Sequence, residues 1–261
     1  MEPITSTKNP RVRELASLSR ARTRRELGLH LVEGPNAVRE ALEAGLVTEV
    51  FVTPDAPVVP VPAGVAVTSV TDAVLARLAD ATTPQGLVAV ARIPTATLAE
   101  VVGRGLLVVL DAVADPGNAG TILRTADAAG ATGVVLTAGS VDPYSPKAVR
   151  SAAGSTYHLP IVTGIDLGEL VASCRRAGQR VLGLDGGATE EVWSLERGGG
   201  GAVALVLGNE AHGLGPDARD QLDGLVAVPI SGRAESLNVA AAAAIAIYAA
   251  ARGLRPVPPS D

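Results

Sequence analysis

From Leu106 onward, short β-branched runs alternate with stretches of helical periodicity, and that alternation leaves few folds open to the chain. The pattern predicts strands at Leu106–Leu110, Gly133–Leu136, Tyr157–Ile161, Arg180–Leu184, Ala202–Leu207 and Leu225–Pro229. Between and after them it predicts helices at Ala119–Ala129, Lys147–Ala153, Leu167–Ala177, Asp217–Leu222 and Glu235–Arg252. Strands this short and this apolar are buried on both faces, and strands joined through helices run parallel. The expected fold class is α/β, a mostly parallel sheet covered on both sides.

The first 92 residues form a smaller unit of a different pattern. A basic helix is expected over residues 8–26, a strand at Leu29–Val32, and a helix at Pro35–Ala44 with Pro in its first turn and Gly45 as its stop. Strands at Val47–Thr53, Val65–Val70 and Gly86–Ala91 follow, with a helix opened by Thr71 or Asp72 before the last of them. The domain reading is 1–92, a linker at 93–104, a second domain at 105–255 and a tail at 256–261, with Gly198–Gly201 as a flexible surface loop.

Charge is unevenly spread. Residues 1–25 hold Lys8, Arg11, Arg13, Arg20, Arg22, Arg24 and Arg25 against Glu2 and Glu14, a local +5 on a chain of net −5, so the remainder carries −10. A basic arm on an acidic body is a footprint for phosphate, and a solvated helix face is the plain alternative. Only five residues are Phe, Trp or Tyr, which leaves little for stacking on bases. The single cysteine, Cys174, rules out an internal disulfide and a thiolate metal cluster, and His30, His158 and His212 show no metal-ligand spacing, so no metal is expected. The first 26 residues are too charged for a signal peptide, and the longest apolar run, Val239–Ala251, is too short and too Ala-rich to span a bilayer. The chain is therefore read as soluble and cytoplasmic, with no membrane partner. The last helix is apolar on every face and needs cover on all sides, from its own chain or from a second subunit.

Three segments bring polar groups to strand ends, where open α/β sheets build ligand sites. Asn118–Arg124 (NAGTILR) places an amide at a helix start and an arginine on its second turn. Leu207–Gly215 (LGNEAHGLG) is a glycine-spaced loop with one carboxylate, Glu210. Val228–Asn238 (VPISGRAESLN) lets Glu235 and Ser236 open the last helix, with Asn238 in its first turn. Neither G-x-G-x-x-G nor a P-loop follows the first strand of the second domain.

Taken in order, N-x-G-x-x-x-R, L-G-N-E-x-x-G-L and I-x-G-x-x-x-S-L-N-V resemble the three motifs of the SpoU (TrmH-like) family of RNA 2′-O-ribose methyltransferases, of the SPOUT class. KNPRVRELASLSRARTRRELGLHLVEGPNAVREAL is similar to the small L30e-like RNA-binding domain that many members carry. The resemblance implies a C-terminal trefoil knot, S-adenosylmethionine bound in it, and a homodimer through the knot helices. It implies Leu207, Gly208, Asn209, Val228, Ile230, Ser236 and Leu237 around the cofactor, and Arg124 at the ribose hydroxyl. Asn118 would orient Arg124 or the ribose, Glu210 would hold the arginine or a partner's loop, and Ser236 and Asn238 would fix the reacting centre. RNA contacts are expected at Lys8, Arg11, Arg22, Arg24 and Arg25, and at Lys147 and Arg150 beside the motifs. A guanidinium is a poor base, so Arg124 is read as the stabiliser of a developing alkoxide.

The implied substrate is 23S ribosomal RNA ahead of transfer RNA. Methylation of a pyrimidine ring at C5 would need a cysteine nucleophile near the cofactor, and Cys174 lies on a peripheral helix away from all three motifs. A non-catalytic RNA-binding or assembly protein on the same fold would be expected to have lost one of Asn118, Arg124, Glu210, Ser236 or Asn238, and all are present.

Overall fold

The computed structural model describes residues 3–197 and 201–254, so the tail at 256–261 and all but the last residue of the Gly198–Gly201 loop lie outside it. The chain divides into two compact units, Met1–Pro94 with Asp142–His158, and Thr95–Val141 with Leu159–Asp261.

In the first unit the expected single basic helix is two: α1 (Pro10–Ala16) and α2 (Ala21–Leu27), separated by a 3₁₀ turn at Ser17–Ser19. Asn9 starts α1 by accepting from the Arg11 amide at 2.9 Å, with Pro10 in the first position. The break has a local cause. The Ser17 hydroxyl donates to the Glu14 carbonyl and that of Ser19 to the Ala16 carbonyl, so side chains occupy acceptors that a continuing helix would use. After β1 (Leu29–Glu33), α3 (Pro35–Glu43), β2 (Val47–Val52), β3 (Ala66–Ser69), α4 (Asp72–Leu78) and β4 (Leu87–Arg92), the sheet order is β1-β4-β2-β3. β4 is antiparallel to both neighbours and β2–β3 is parallel. One face buries Val12, Leu15 and Leu18 against Phe51, Leu75 and Val88; the other packs Val32, Val38 and Ala41 against Val50 and Leu87.

The stretch read as a linker at 93–104 is partly helical. Thr97 and Glu100 form a reciprocal capping box around α5 (Leu98–Val101), and buried Val101 anchors it in the second unit. β5 (Leu106–Leu110), α6 (Pro116–Ala129) and β6 (Gly133–Thr137) follow as expected, and α7 (Pro146–Ala152) then departs with the first unit. β7 (Ile161–Ile165), α8 (Leu167–Arg176), β8 (Arg180–Leu184), β9 (Val203–Leu207), α9 (Pro216–Gln221), β10 (Gly224–Val226) and α10 (Val239–Leu254) complete the second unit. Its six strands are all parallel, in the order β10-β8-β9-β5-β6-β7, with β5 and β9 central and fully buried. The loops after β5, β9 and β10 therefore share the carboxyl edge of one sheet. Ala240, Ala243, Ala246, Ile247 and Ala250 of α10 are buried, whereas Tyr248 is 52% exposed, so this apolar helix is not covered on every side. Among the described residues no helix is long and apolar enough to cross a membrane.

Within the stretch read as a second domain at 105–255, Asp142–His158 packs with the first unit. Arg24 is buried there, its Nη2 2.6 Å and its Nε 2.8 Å from Asp142 Oδ2, while Nη1 donates to the carbonyls of Leu18 at 2.7 Å and Ser19 at 2.9 Å. His30 lies between Tyr144, edge-on at 5.3 Å, and Tyr157, stacked at 5.9 Å. This packing also explains why no strand begins at Tyr157. Tyr157 closes a 3₁₀ turn at Ser155–Tyr157 against His30, Pro160 has no amide to donate to a ladder, and β7 starts one residue later.

Candidate active site

The site is built from three loops at the carboxyl edge of the parallel sheet. In the first, Asp115 caps α6 by accepting from the Asn118 amide at 2.9 Å, which fixes Asn118 in the opening turn. Because the helix starts at Pro116, Arg124 stands in its third turn, not its second. Arg124 is exposed and has no hydrogen bond or ion pair among the described residues.

The second loop folds back on itself. Asn209 and Gly213 exchange backbone hydrogen bonds of 3.0 and 2.8 Å, and Gly213 takes the turn at φ +64°. A Cβ on Gly208 would stand 2.5 Å from the Gly213 carbonyl oxygen and 2.6 Å from the Leu214 nitrogen, so only glycine permits this return. The Asn209 side chain ties the loop to the first by donating to the Ala112 carbonyl at 2.9 Å, while its oxygen accepts from the amides of Ala211 and His212. Glu210 accepts from the Ala114 amide at 3.0 Å, the Asp115 amide at 2.9 Å and Asn118 Nδ2 at 3.0 Å. Partial burial pushes its carboxyl up, but these donors outweigh that effect and hold it below the usual carboxylate range.

In the third loop the last helix begins later than expected. Asn238 is the cap, accepting from the Ala240 amide at 2.9 Å and the Ala241 amide at 3.3 Å, so Glu235 and Ser236 precede the helix in irregular, exposed backbone. Its Nδ2 donates to Asn118 Oδ1 at 3.1 Å. A continuous chain, Glu210–Asn118–Asn238, thus joins three segments separated by as many as 120 residues. Glu210 spends its oxygens on the first loop and not on Arg124.

Beside this chain lies a cleft of ≈ 350 Å³. Leu207, Gly208, Asn209, Val228, Ile230, Ser236 and Leu237 all stand on its wall. Sequence reasoning missed Leu184 and Gly186, which also line it. They follow the same signal, the carboxyl end of a central strand, but carry no side-chain chemistry to mark them. It missed the Ala114 and Asp115 amides as well. His212 is exposed, and buried Cys174 belongs to α8, outside the cleft wall. Among the described residues no group of three or more His, Cys, Asp or Glu is placed to hold a metal ion.

The basic residues divide sharply. Arg24, expected as an RNA contact, is only 2% exposed and serves the core ion pair with Asp142, because the Asp142–His158 segment closes over it. Lys147 and Arg150 lie on α7 in the first unit, and Arg150 pairs with Asp80 at 3.0 Å. Arg11 pairs with Glu14 and Glu49, and Arg22 with Glu26. Lys8 and Arg25 are exposed.

The family model described as SpoU rRNA Methylase family matches residues 105–248, and one described as MRM3-like substrate binding domain matches residues 9–89. The chain is 36% identical to the 23S rRNA (guanosine(2553)-2′-O)-methyltransferase RlmP of Bacillus subtilis, over 95% of this chain and 98% of that one. Its fold matches an AdoMet-bound rRNA methyltransferase from Sinorhizobium meliloti with a TM-score of 0.86 and 29% identity, covering 98% of this chain and 99% of that one. It also matches the SpoU methyltransferase AviRb from Streptomyces viridochromogenes in complex with AdoMet, with a TM-score of 0.83 and 30% identity over 94% and 98% of the two chains.

Proposed function

The chain belongs to the SpoU rRNA methylase family, and on that premise we propose that it is an S-adenosylmethionine-dependent RNA 2′-O-ribose methyltransferase acting on 23S ribosomal RNA. The observation that carries this reading is the Glu210–Asn118–Asn238 chain at the rim of the cleft, which sets all three motifs around one point. The cleft suits the cofactor. Ile230 and Leu237 are each 40% exposed on its wall, apolar surface that a flat heteroaromatic ring would cover, and Gly208 stands on the same wall. When bound, S-adenosylmethionine supplies an electrophilic sulfonium methyl group.

The protein's tasks are then positioning and charge stabilisation. Arg124, exposed and without a partner among the described residues, offers its planar donors to the ribose 2′-oxygen and an adjacent phosphate. Its guanidinium stays protonated, so it stabilises the oxygen as its charge grows, and the proton leaves to solvent or another group. Asn118, held at both ends of its amide, braces the start of the helix that carries Arg124. Ser236, on the cleft wall, keeps its hydroxyl for the reacting ribose.

The reading extends to a trefoil threading of the β9–α10 region, a cytoplasmic location, and a homodimer through α10. The dimer is supported by an apolar stripe that includes Ala241 and Tyr248 and that this chain leaves uncovered. The test is methyl transfer from labelled S-adenosylmethionine by the purified chain to 23S RNA from cells lacking the gene, with the site mapped by resistance to alkaline hydrolysis. Label should enter one ribose 2′-oxygen. Label in a base, or none in any RNA, would overturn the proposal.

A further inference from the structure

The first unit carries an open groove of ≈ 730 Å³ whose walls include Arg13 on α1, Arg20 at the start of α2 and Arg77 in the last turn of α4. All three are exposed, and none makes an ion pair or side-chain hydrogen bond among the described residues. Of their neighbours in the basic segment, Arg11 pairs with Glu14 and Glu49, Arg22 with Glu26 and Arg24 with Asp142. The groove's one carboxylate, Glu14, is taken by Arg11 at 2.9 Å. Its two hydroxyls, Ser17 and Ser19, donate to carbonyls of their own turn. What remains facing the groove is three guanidinium groups that no carboxylate among the described residues pairs, which favours anions.

Resting on the methyltransferase reading above, we infer that this groove holds the phosphate backbone of folded, A-form RNA through Arg13, Arg20 and Arg77. No aromatic side chain lines it, so bases have nothing to stack on, as a site for single strands would provide. Base-paired RNA presents phosphates and 2′-hydroxyls outward and is recognised through them. The groove thus anchors structured RNA without reading its sequence. Choice of nucleotide belongs to the other unit.

The test uses the full chain with Arg13, Arg20 and Arg77 all changed to Gln, and fluorescently labelled RNA as probe, a fully paired hairpin in one arm and poly(U) in the other. Three lost phosphate contacts should reduce the slope of log affinity against log salt by about 2.7 on the hairpin. Over a fourfold rise in salt the wild type should then lose ~40-fold more affinity than the variant. The matching triple Lys variant should keep most of the slope, since counterion release follows charge. Cofactor affinity should be unaltered in all of them, and amide hydrogen exchange in β1 and β4 should match the wild type, which confirms that the first unit is folded. An unchanged slope in the Gln variant, or tighter wild-type binding to poly(U) than to the hairpin, would overturn the inference. Neither outcome touches methyl transfer by the wild type, so failure of the groove and failure of the catalytic reading are told apart.

Discussion

Acidification should weaken the first unit through one side chain, His30, by ~2 kcal/mol between about pH 7.5 and about pH 5. His30 is fully buried on β1, between the rings of Tyr144 and Tyr157, and among the described residues neither of its ring nitrogens makes a well-aligned hydrogen bond. Burial pushes its pKa down, the positive charge of Arg24 pushes it further, and the Leu31 backbone opposes both only in part, leaving it at about 3 against an ordinary 6.5. Between those values the unfolded chain binds a proton that the folded chain refuses, so stability falls as pH falls, by about 1.4 kcal/mol per unit once well below the upper value. Above it the contribution is constant. Replacing His30 with Phe keeps a ring between the two tyrosines and removes the titration. The sole tryptophan, Trp193, lies in the second unit and cannot report on this change, so the assay is amide hydrogen exchange in β1 and β4, corrected for intrinsic pH dependence. The wild type should lose protection in the acid arm relative to His30→Phe by a factor of ~30, the equivalent of the ~2 kcal/mol above. Parallel loss in the two proteins would show that His30 finds a proton acceptor within the fold and that the reasoning from burial fails.

Arg124→Ala should leave stability within about 0.5 kcal/mol, because the side chain contacts nothing that folding needs, yet slow methyl transfer by ~10² to 10³-fold, with Arg124→Lys nearly as slow; turnover near the wild-type rate would remove Arg124 from the mechanism. Asn118→Asp should harm transfer more than Asn118→Ala, since it sets a second carboxylate ~3 Å from Glu210, a repulsion of about 1.4 kcal/mol even at the dielectric of water, and lowering the pH should recover part of the deficit; equal activity of the two variants would argue against the hydrogen-bond chain. Deleting residues 1–94 should preserve cofactor affinity in calorimetry, because the whole cleft wall lies in the second unit, but should leave the Asp142–His158 segment without its core and open to limited proteolysis; loss of cofactor binding by a folded chain would place part of the site in the first unit.

β5, β6 and β9 were readable because each is apolar and buried on both faces, which is what an inner parallel strand requires. Where an element ends depended on partners that local pattern does not carry. Tyr157–Ile161 has the composition of a strand, yet Tyr157 is claimed by a histidine 127 positions earlier in the chain. Asp142 is likewise claimed by Arg24, 118 residues away, so the excursion of this segment into the first unit rests on pairings invisible to any window of sequence. The same pairing shows why the basic arm could not be read by counting charge. Seven cations in 25 residues look equivalent in sequence, but folding sets Arg24 in the core and engages Arg11 with Glu49 on a distant strand.

The candidate site was more legible than the domain boundary, and for a physical reason. Asn118 must sit where a helix begins, Gly208 where backbone passes backbone, and Asn238 ahead of an uninterrupted alanine run; each is constrained by its own few neighbours, so each leaves a local mark. What the marks cannot carry is which group answers which. An amide can donate from one end and accept at the other, and Asn118 does both, giving Nδ2 to Glu210 and taking Nδ2 of Asn238 on its oxygen. A carboxylate there could not donate to Glu210, and an ammonium could not accept from Asn238. That double demand explains an asparagine between a carboxylate and a second asparagine, while Arg124, exposed on the same helix, makes no hydrogen bond or ion pair among the described residues. An arginine so placed is free to serve the substrate.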